Sequence, residues 1–493
     1  MPRSARLEIH ELNVGQGDST LIINRDLVKV ATKIAASKGD IAVPEDPIDY
    51  VPYALANDIP LEDTVEKALL IDGGDDEYGG NVVSYMQRLG ALPPDADPPP
   101  AIVSNVYVLV SHHHDDHMAG LRSIFKQRVE PTRKGEKVTF AERYRPEGVY
   151  QVSRNAKADP KTARFQAFQE DLTTAFLNRI FHQQRHLIDP GGFTADTEET
   201  AVIDLGTGVD DIPIKLYVLA AAQSVYNKQL DVKIDIPSVS RAVDQNDRSI
   251  ALVLEYGSFR YFLGGDIAGS GGPPGGNFGT NAADPASKKF FSTHADVETS
   301  LGPALEAFFP ATTKWEANQS KYLNAGYCTV MKANHHGSSS SVDVHFLATL
   351  QPVIVVVSSG VKSRFHSHPT QQVIDRMSTA TTPKWEKHNT KATTDNTIDQ
   401  VYLTEVAKKV RGKQFTVDLR GGRILGDIIV RPVDETIQDI EAHTSVGTEL
   451  EVQVYGTGAQ TFLDNPKSKL RPTETEKAGG LYPIGPWYHT DVH

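Results

Sequence analysis

The sequence predicts an α/β fold, a layered sandwich of strands with helices between them. Short alternating or fully apolar runs of strand length recur through the first 380 residues, separated by helical stretches. The residues able to do chemistry, Asp72, His112 to His117, Asp266, His336 and His368, all fall at or just beyond the ends of such runs. That is where α/β folds gather their sites.

The elements follow in order. Leu7 to Asn24 alternates on both sides of Gly15-Gln16-Gly17-Asp18, the pattern of two antiparallel strands around a glycine turn. Lys67 to Asp72 is a strand ending in Asp72-Gly73-Gly74, and residues 25–66, broken by prolines, read as an insertion before it. A helix is expected over Gly80 to Gly90, then a proline-rich link from Pro93 to Pro100. Val106 to Val110 is a continuous apolar run, hence a buried strand, and it delivers the chain into Ser111-His112-His113-His114-Asp115-Asp116-His117. Lys161 to Leu187 is helical by pattern. Ile214 to Leu219 is a strand, and Ser249 to Tyr256 with Arg260 to Leu263 form a hairpin leading to Gly264-Gly265-Asp266. Cys328 to Lys332 and Pro352 to Ser358 are further strands, ending at Asn334-His335-His336-Gly337 and at Ser359-Gly360. His366-Ser367-His368-Pro369 then introduces a helix, Thr370 to Met377. The tail mixes short strands (Gln400 to Val406, Gln414 to Leu419, Gly426 to Pro432, Glu449 to Tyr455) with turns.

Composition narrows the class. The 493 residues suffice for a large core, and no apolar stretch is long enough for a membrane span. The first residues carry no charged region followed by an apolar one, which argues against a secretory leader. The single cysteine, Cys328, lies in an apolar run and reads as core; with no internal disulfide to form, a cytoplasmic location is expected. A net charge of −13 disfavours a surface that coats nucleic acid throughout. One basic stretch stands out: twelve Lys/Arg against five Asp/Glu between Arg122 and Arg164, interleaved with Phe140, Tyr144 and Tyr150. It reads either as a solvated insert or as a guide for a phosphate backbone on which bases stack.

The strongest chemical signal is His112-x-His114-x-Asp116-His117. Imidazole and carboxylate suit borderline divalent metals. In an extended loop residues two apart face the same way, so His112 and His114 can grip one ion. If the chain then turns into a helix near Ala119-Gly120-Leu121, Asp116 and His117 can face a second. Asp266 follows a glycine pair that lets the backbone approach closely, and a carboxylate lying between two cations can bridge both; His335, His336 and His368 supply further imidazoles.

These motifs, taken together, resemble the metallo-β-lactamase superfamily. They are most similar to the branch holding the hydrolase domain of competence DNA-uptake proteins and the phosphorylcholine esterases. The resemblance rests on Gly15-Gln16-Gly17-Asp18-Ser19, Asp72-Gly73-Gly74, His112 to His117, Asn246 with Ser249, Gly265-Asp266, His335-His336-Gly337-Ser338 and His368-Pro369. It implies an αββα sandwich over residues 1–380, with helical inserts at about 25–66, 121–215 and 269–300, and a β-rich accessory region over 381–493. It implies one metal held by His112, His114 and one of His335 or His336, with His336 favoured. A second is held by Asp116, His117 and His368, and Asp266 bridges the two. Zinc is the first expectation and manganese the alternative. Asp116 would orient the nucleophile and His335 would serve as acid, while Ser338 and Lys332 would contact substrate. Asn13 and Ser367 depart from the branch pattern, which bears on subfamily rather than fold.

The expected function is dinuclear, metal-dependent hydrolysis of a phosphodiester, with DNA or RNA as substrate first. A small-molecule phosphodiesterase or esterase of phosphorylcholine or cyclic-nucleotide type is the alternative. A non-catalytic partner-binding module, docking through the inserts or the C-terminal region, is the third reading.

Overall fold

The computed structural model describes residues 6–37, 43–95, 102–129, 138–152, 157–177, 185–188, 202–208, 211–227, 232–236, 244–269, 295–311, 324–363, 368–387, 390–406, 409–410, 413–414, 416–432, 448–454 and 488–492, isolated positions within these ranges excepted. The fold is mixed α/β. Among the described residues a nine-stranded sheet runs Tyr488–Val492, Thr448–Val454, Ile428–Pro432, Arg6–Glu11, Thr20–Arg25, Val65–Ile71, Val103–Val110, Pro146–Val152, Arg185–Ile188. A ten-stranded sheet runs Val232–Asp235, Ser224–Asn227, Pro213–Ala221, Ala251–Tyr256, Phe259–Leu263, Val330–Lys332, Ile354–Val357, Gln400–Leu403, Arg423–Ile424, with Val202–Thr207 added beside Pro213–Ala221.

Alternation within the strands builds the layers. Leu21 and Ile23 enter a core shared with the helices Leu27–Ala36, Tyr50–Ala56 and Gly79–Arg88, while Ile22 between them faces the other sheet. In the second sheet Leu252, Leu254, Ile354 and Val356 face inward to that same middle core. Ala251, Val253, Val355 and Val357 pack outward against Val297–Phe308, Val344–Leu350 and Gln371–Met377. Helices, sheet, sheet and helices thus stack as four layers around three cores. Both sheets are covered on both faces, which is why a strand such as Ile354–Val357 is continuously apolar.

Parallel pairing positions the site. Val65–Ile71 runs parallel to Val103–Val110 with Ile71 opposite Leu109, so Asp72 and Ser111 leave their strands side by side. In the other sheet Phe259–Leu263, Val330–Lys332 and Ile354–Val357 are parallel neighbours. The segments following them therefore emerge on one edge.

Several boundaries differ from the sequence reading. The helix expected from Lys161 to Leu187 spans Ala163–Leu177, and Arg185–Ile188 is instead a strand. Residues 121–215, expected as an insert, also give the first sheet Pro146–Val152 and the second Val202–Thr207 and Pro213–Ala221. The segment after 380, expected as an accessory region, completes both sheets: Ile428–Pro432 pairs with the first strand, and Gln400–Leu403 lies beside Ile354–Val357. Of the strand expected from Gln414 to Leu419, strand structure among the described residues covers Lys413–Gln414, and residue 415 lies outside them. Most of the insert expected at 269–300 lies outside the described residues. No helix among the described residues is long and apolar enough to cross a membrane. Cys328 is buried, and burial pushes its thiol up to about 12, so the core reading holds.

Candidate metal centre

Asp72 opens the site. It sits at φ +60°, where the strand breaks, and this turns its carboxylate back across the neighbouring strand end. One oxygen accepts the Ser111 amide at 2.7 Å; the other accepts the Ser111 hydroxyl at 2.6 Å and the Nδ1 proton of His117 at 2.8 Å. His117 lies in the short helix Asp115–Met118, which begins before the helix expected at Ala119-Gly120-Leu121. With Nδ1 committed to Asp72, Nε2 of His117 points inward. His112 Nε2 and His114 Nδ1 lie 3.0 Å apart, converging as residues two apart in an extended loop should.

Asp266 lies at the centre. Its amide donates to Ser249 Oγ at 3.1 Å, which accounts for the serine in the motif before it. Its two carboxylate oxygens face different partners. Oδ1 is 3.3 Å from His117 Nε2 and 3.6 Å from His336 Nε2. Oδ2 is 3.8 Å from His112 Nε2 and 3.7 Å from His335 Nε2. His336 Nε2 is also 3.6 Å from Asp116 Oδ2.

The paired histidines reach these places through an unusual turn. His335, His336 and Gly337 take φ of +50°, +53° and +74° in succession. A left-handed non-glycine residue costs on the order of 1–2 kcal/mol, so the surroundings must hold the turn. His335 N donates to the Gly265 carbonyl at 3.0 Å, Ser341 Oγ to the Asn334 carbonyl at 2.7 Å, and Asn334 Nδ2 to Glu298 at 2.7 Å. A Cβ on Gly337 would meet Pro369 at 2.8 Å, which fits glycine at that position. The turn splits the pair: His335 goes to the Oδ2 side of Asp266 and His336 to the Oδ1 side.

The donor set fits metal ions. His117 Nε2, His336 Nε2 and Asp266 Oδ1 are buried with no hydrogen-bond partner. Such atoms are costly unless something else satisfies them. Ligand atoms about 2.0–2.2 Å from a tetrahedral ion stand about 3.3–3.6 Å from one another, close to the separations above. Among the described residues the tight donor groups are His112–His117–Asp266, Asp116–His117–His336, Asp18–Asp72–His117 and Asp18–Asp266–His336.

Electrostatics agree with a densely charged pocket. Burial pushes Asp266 up, but His117, His336 and His335 outweigh it and hold the carboxyl well below its usual range. Burial lowers His336, yet Asp266 and Asp18 raise it to about 10. His117 is likewise raised against burial, by Asp266 and Asp72. His112 is lowered by burial and by the neighbouring charge of His117.

The geometry groups the imidazoles differently from the expected ligand sets. His336 stands with Asp116 and His117 rather than with His112 and His114. His335 takes the place on the other side, with Asn246 Nδ2 3.4 Å from its Nε2. His368 packs its ring 5.7 Å from His335 and 6.3 Å from His336, outside the tight donor groups. Lys332 and Ser338, expected at the substrate, are buried: Lys332 pairs with Asp18, and Ser338 Oγ lies 2.8 Å from Ser340 Oγ. Sequence reasoning missed Asp18 as a site residue, although the glycine turn containing it was apparent; only the fold reveals that this turn meets His336. His113, inside the motif, points away, with Nε2 3.3 Å from Gln151.

Among the described residues of the basic stretch, five cations are held in ion pairs. Arg122 and Lys126 share Asp171 at 2.7 and 2.5 Å, and Arg143 pairs with Asp95 at 2.7 Å. Arg145 pairs with Glu142, and Arg164 reaches Asp75 at 2.9 Å and Asp115 at 3.3 Å. Tyr144 is core, Tyr150 half-buried and Phe140 exposed. Lysines and arginines at 133, 134, 137 and 154 lie outside the described residues.

Comparison with protein-family models and with curated proteins finds no match for this chain.

Proposed function

We propose that the chain is a metal-dependent hydrolase of the metallo-β-lactamase type, with two divalent ions, acting on a phosphodiester. The observation that carries this reading is Asp266, whose two oxygens face separate imidazole sets. A carboxylate so placed suits bridging between two ions. His112, His114, His335 and Asp266 Oδ2 would hold one; Asp116, His117, His336 and Asp266 Oδ1 would hold the other. The four-layer architecture and the strand-end location of every donor support the same fold type.

Two such ions, when bound, would supply Lewis acidity that activates water near neutral pH and stabilises charge on the scissile group and leaving oxygen. The chain does the rest. Asp72 fixes the tautomer and direction of His117. The strained His335-His336 turn delivers one imidazole to each side of Asp266. Asp116, partly exposed beside His336, is placed to orient the attacking water. His368, packed on His335 and His336, would be the candidate acid for the leaving group. Mixed imidazole and carboxylate donors suit zinc first and manganese second.

The ion-paired state of Arg122, Lys126, Arg143, Arg145 and Arg164 favours a second reading of the substrate. Charges already matched within the protein contribute little to a polyanion track, so a small diester fits as well as DNA or RNA. The test is metal content by elemental analysis, followed by assays on single- and double-stranded DNA, RNA and bis-p-nitrophenyl phosphate. Two ions per chain with polynucleotide cleavage support the nuclease; cleavage of the small diester alone supports the second reading. A chain that takes up no metal and turns over nothing refutes both.

A further inference from the structure

Lys332 and Asp18 are each almost wholly buried, at 3% and 2% exposure, and their side chains form an ion pair. The lysine arises from a central strand of one sheet, the aspartate from the glycine turn of the other. Burying such a pair usually gains little over apolar residues of similar volume, so its persistence beside a reactive cluster asks for a role. The contacts supply one. Asp18 Oδ2 faces the ammonium, and Oδ1 lies 3.2 Å from His336 Nδ1. The same Nδ1 donates to the Ser358 carbonyl at 3.1 Å, and Ser358 Oγ in turn holds the Gly17 carbonyl at 2.7 Å. Asp18 N donates to the Asp116 carbonyl at 3.2 Å. Its turn lies so close to Asp116 that a Cβ on Gly17 would come within 2.4 Å of that carbonyl oxygen. Glu11, held by Tyr261 at 2.7 Å and Thr20 at 2.8 Å, adds to the negative field at Lys332, although burial raises its own carboxyl to about 7.

We propose that Lys332 and Asp18 form a positioning pair that locks His336 with Nε2 toward Asp116 and Asp266, and so sets the affinity of one metal ion and not the other. The inference rests on the two-ion reading above. With the remote N–H of His336 given to the Ser358 carbonyl, the Asp18 carboxylate 3.2 Å away adds negative charge that holds the ring and strengthens its donor atom, and losing such an outer partner costs about 10–100-fold in metal affinity. Lys332 holds that carboxylate in place; it does not touch substrate.

The test is a Co2+ and Zn2+ titration of the full chain, followed by calorimetry and by the visible spectrum of bound Co2+. Asp18→Asn alone strands the lysine, so it is run beside Asp18→Asn/Lys332→Met, which removes both charges together and keeps the volumes. In the double variant one of the two affinities should fall 10–100-fold while the other stays at the wild-type value, and only one part of the Co2+ spectrum should change. Wild-type affinities in the double variant would make the pair purely structural and overturn the proposal. So would an equal loss at both sites, or a double variant that melts far below the wild type. A wild-type chain that binds fewer than two Co2+ ions would instead overturn the metal reading itself.

Discussion

Two buried clusters of charge sit in the same sheet system, and they behave oppositely. In one, Glu8, His10, Arg25 and Arg431 are all fully buried. Arg25 meets Glu8 through Nε and Nη2 at 3.4 and 3.3 Å, and also Thr64 at 2.7 Å and the Leu89 carbonyl at 3.0 Å. His10 spends both ring nitrogens, Nδ1 on Tyr85 at 3.0 Å and Nε2 on Glu8 at 3.3 Å. In the other cluster His117 and His336 each spend Nδ1 on the protein and leave Nε2 aimed at a shared carboxylate. Burial and a mixture of imidazoles and carboxylates do not therefore mark a metal centre. What sets the second cluster apart is imidazole nitrogens left open toward a common carboxylate; in the first, Glu8 Oε1 makes no hydrogen bond but faces the Arg431 guanidinium at 3.8 Å.

The sharpest way to break that comparison is Asp266→Ala. It removes the carboxylate that faces both imidazole sets, so both ions should be lost in elemental analysis and hydrolysis with them. The matching change in the other cluster is Arg25→Met, which leaves Glu8 buried without its main cation. Stability should fall by roughly 3–5 kcal/mol in urea denaturation, with two ions still bound. Loss of metal in Arg25→Met at a pH where it is folded would erase the distinction between the clusters. His336→Ala and His335→Ala sharpen it further. Each should weaken a different ion, the first more strongly because its Nε2 faces both Asp116 and Asp266. Loss of the same ion in both variants would contradict the division drawn by the turn.

Protons should compete with metal only in the open cluster. Burial lowers His336 but Asp266 and Asp18 hold it up at about 10, and His117 is raised in the same sense. Below its raised pKa each imidazole must give up a proton before it can ligate. Metal affinity should therefore rise with pH across the neutral range, by up to about tenfold per unit for each proton displaced. Calorimetry in buffers of different ionisation enthalpy counts those protons, and a pH-independent affinity would refute the ligand assignment.

Much of this was legible in the sequence where the signal was local. The run His112 to His117 sits on one loop after a buried strand, and spacing alone aimed His112 and His114 at one point. The ends of the central strands were legible for the same reason. What escaped depended on the third dimension. The division of His335 from His336 follows from two successive left-handed residues, and no residue pattern announces that conformation outside glycine. Asp18 and Lys332 are 314 positions apart and meet only because the two sheets face each other. The strands after 380 looked peripheral because they are short and separated by turns; they complete sheets begun hundreds of residues earlier.

The smallest expected effect comes from a carboxylate that belongs with the closed cluster by the same criterion. Glu298 is fully buried and accepts from Asn334 Nδ2, Val342 N and Asp343 N, each at 2.7 Å. Burial, with Asp343 beside it, lifts its carboxyl from 4.5 to about 8, against the pull of those donors. A folded-state value above the unfolded one means that the folded protein holds the proton more tightly. The stabilisation is complete below about 4.5 and is lost as pH rises through about 8. Glu298→Gln cannot ionise, so its unfolding free energy should decline less steeply over that window, by up to one proton's slope. Its absolute stability should still be lower, because the new amide group turns a donor toward one of the three N–H groups. Urea denaturation at several pH values measures both. Equal slopes for the two proteins would mean that the three donors win over burial and keep Glu298 ionised throughout. The bound metal should be unchanged at the His112 side in either case, since Glu298 reaches the centre only through Asn334 and the turn that follows it.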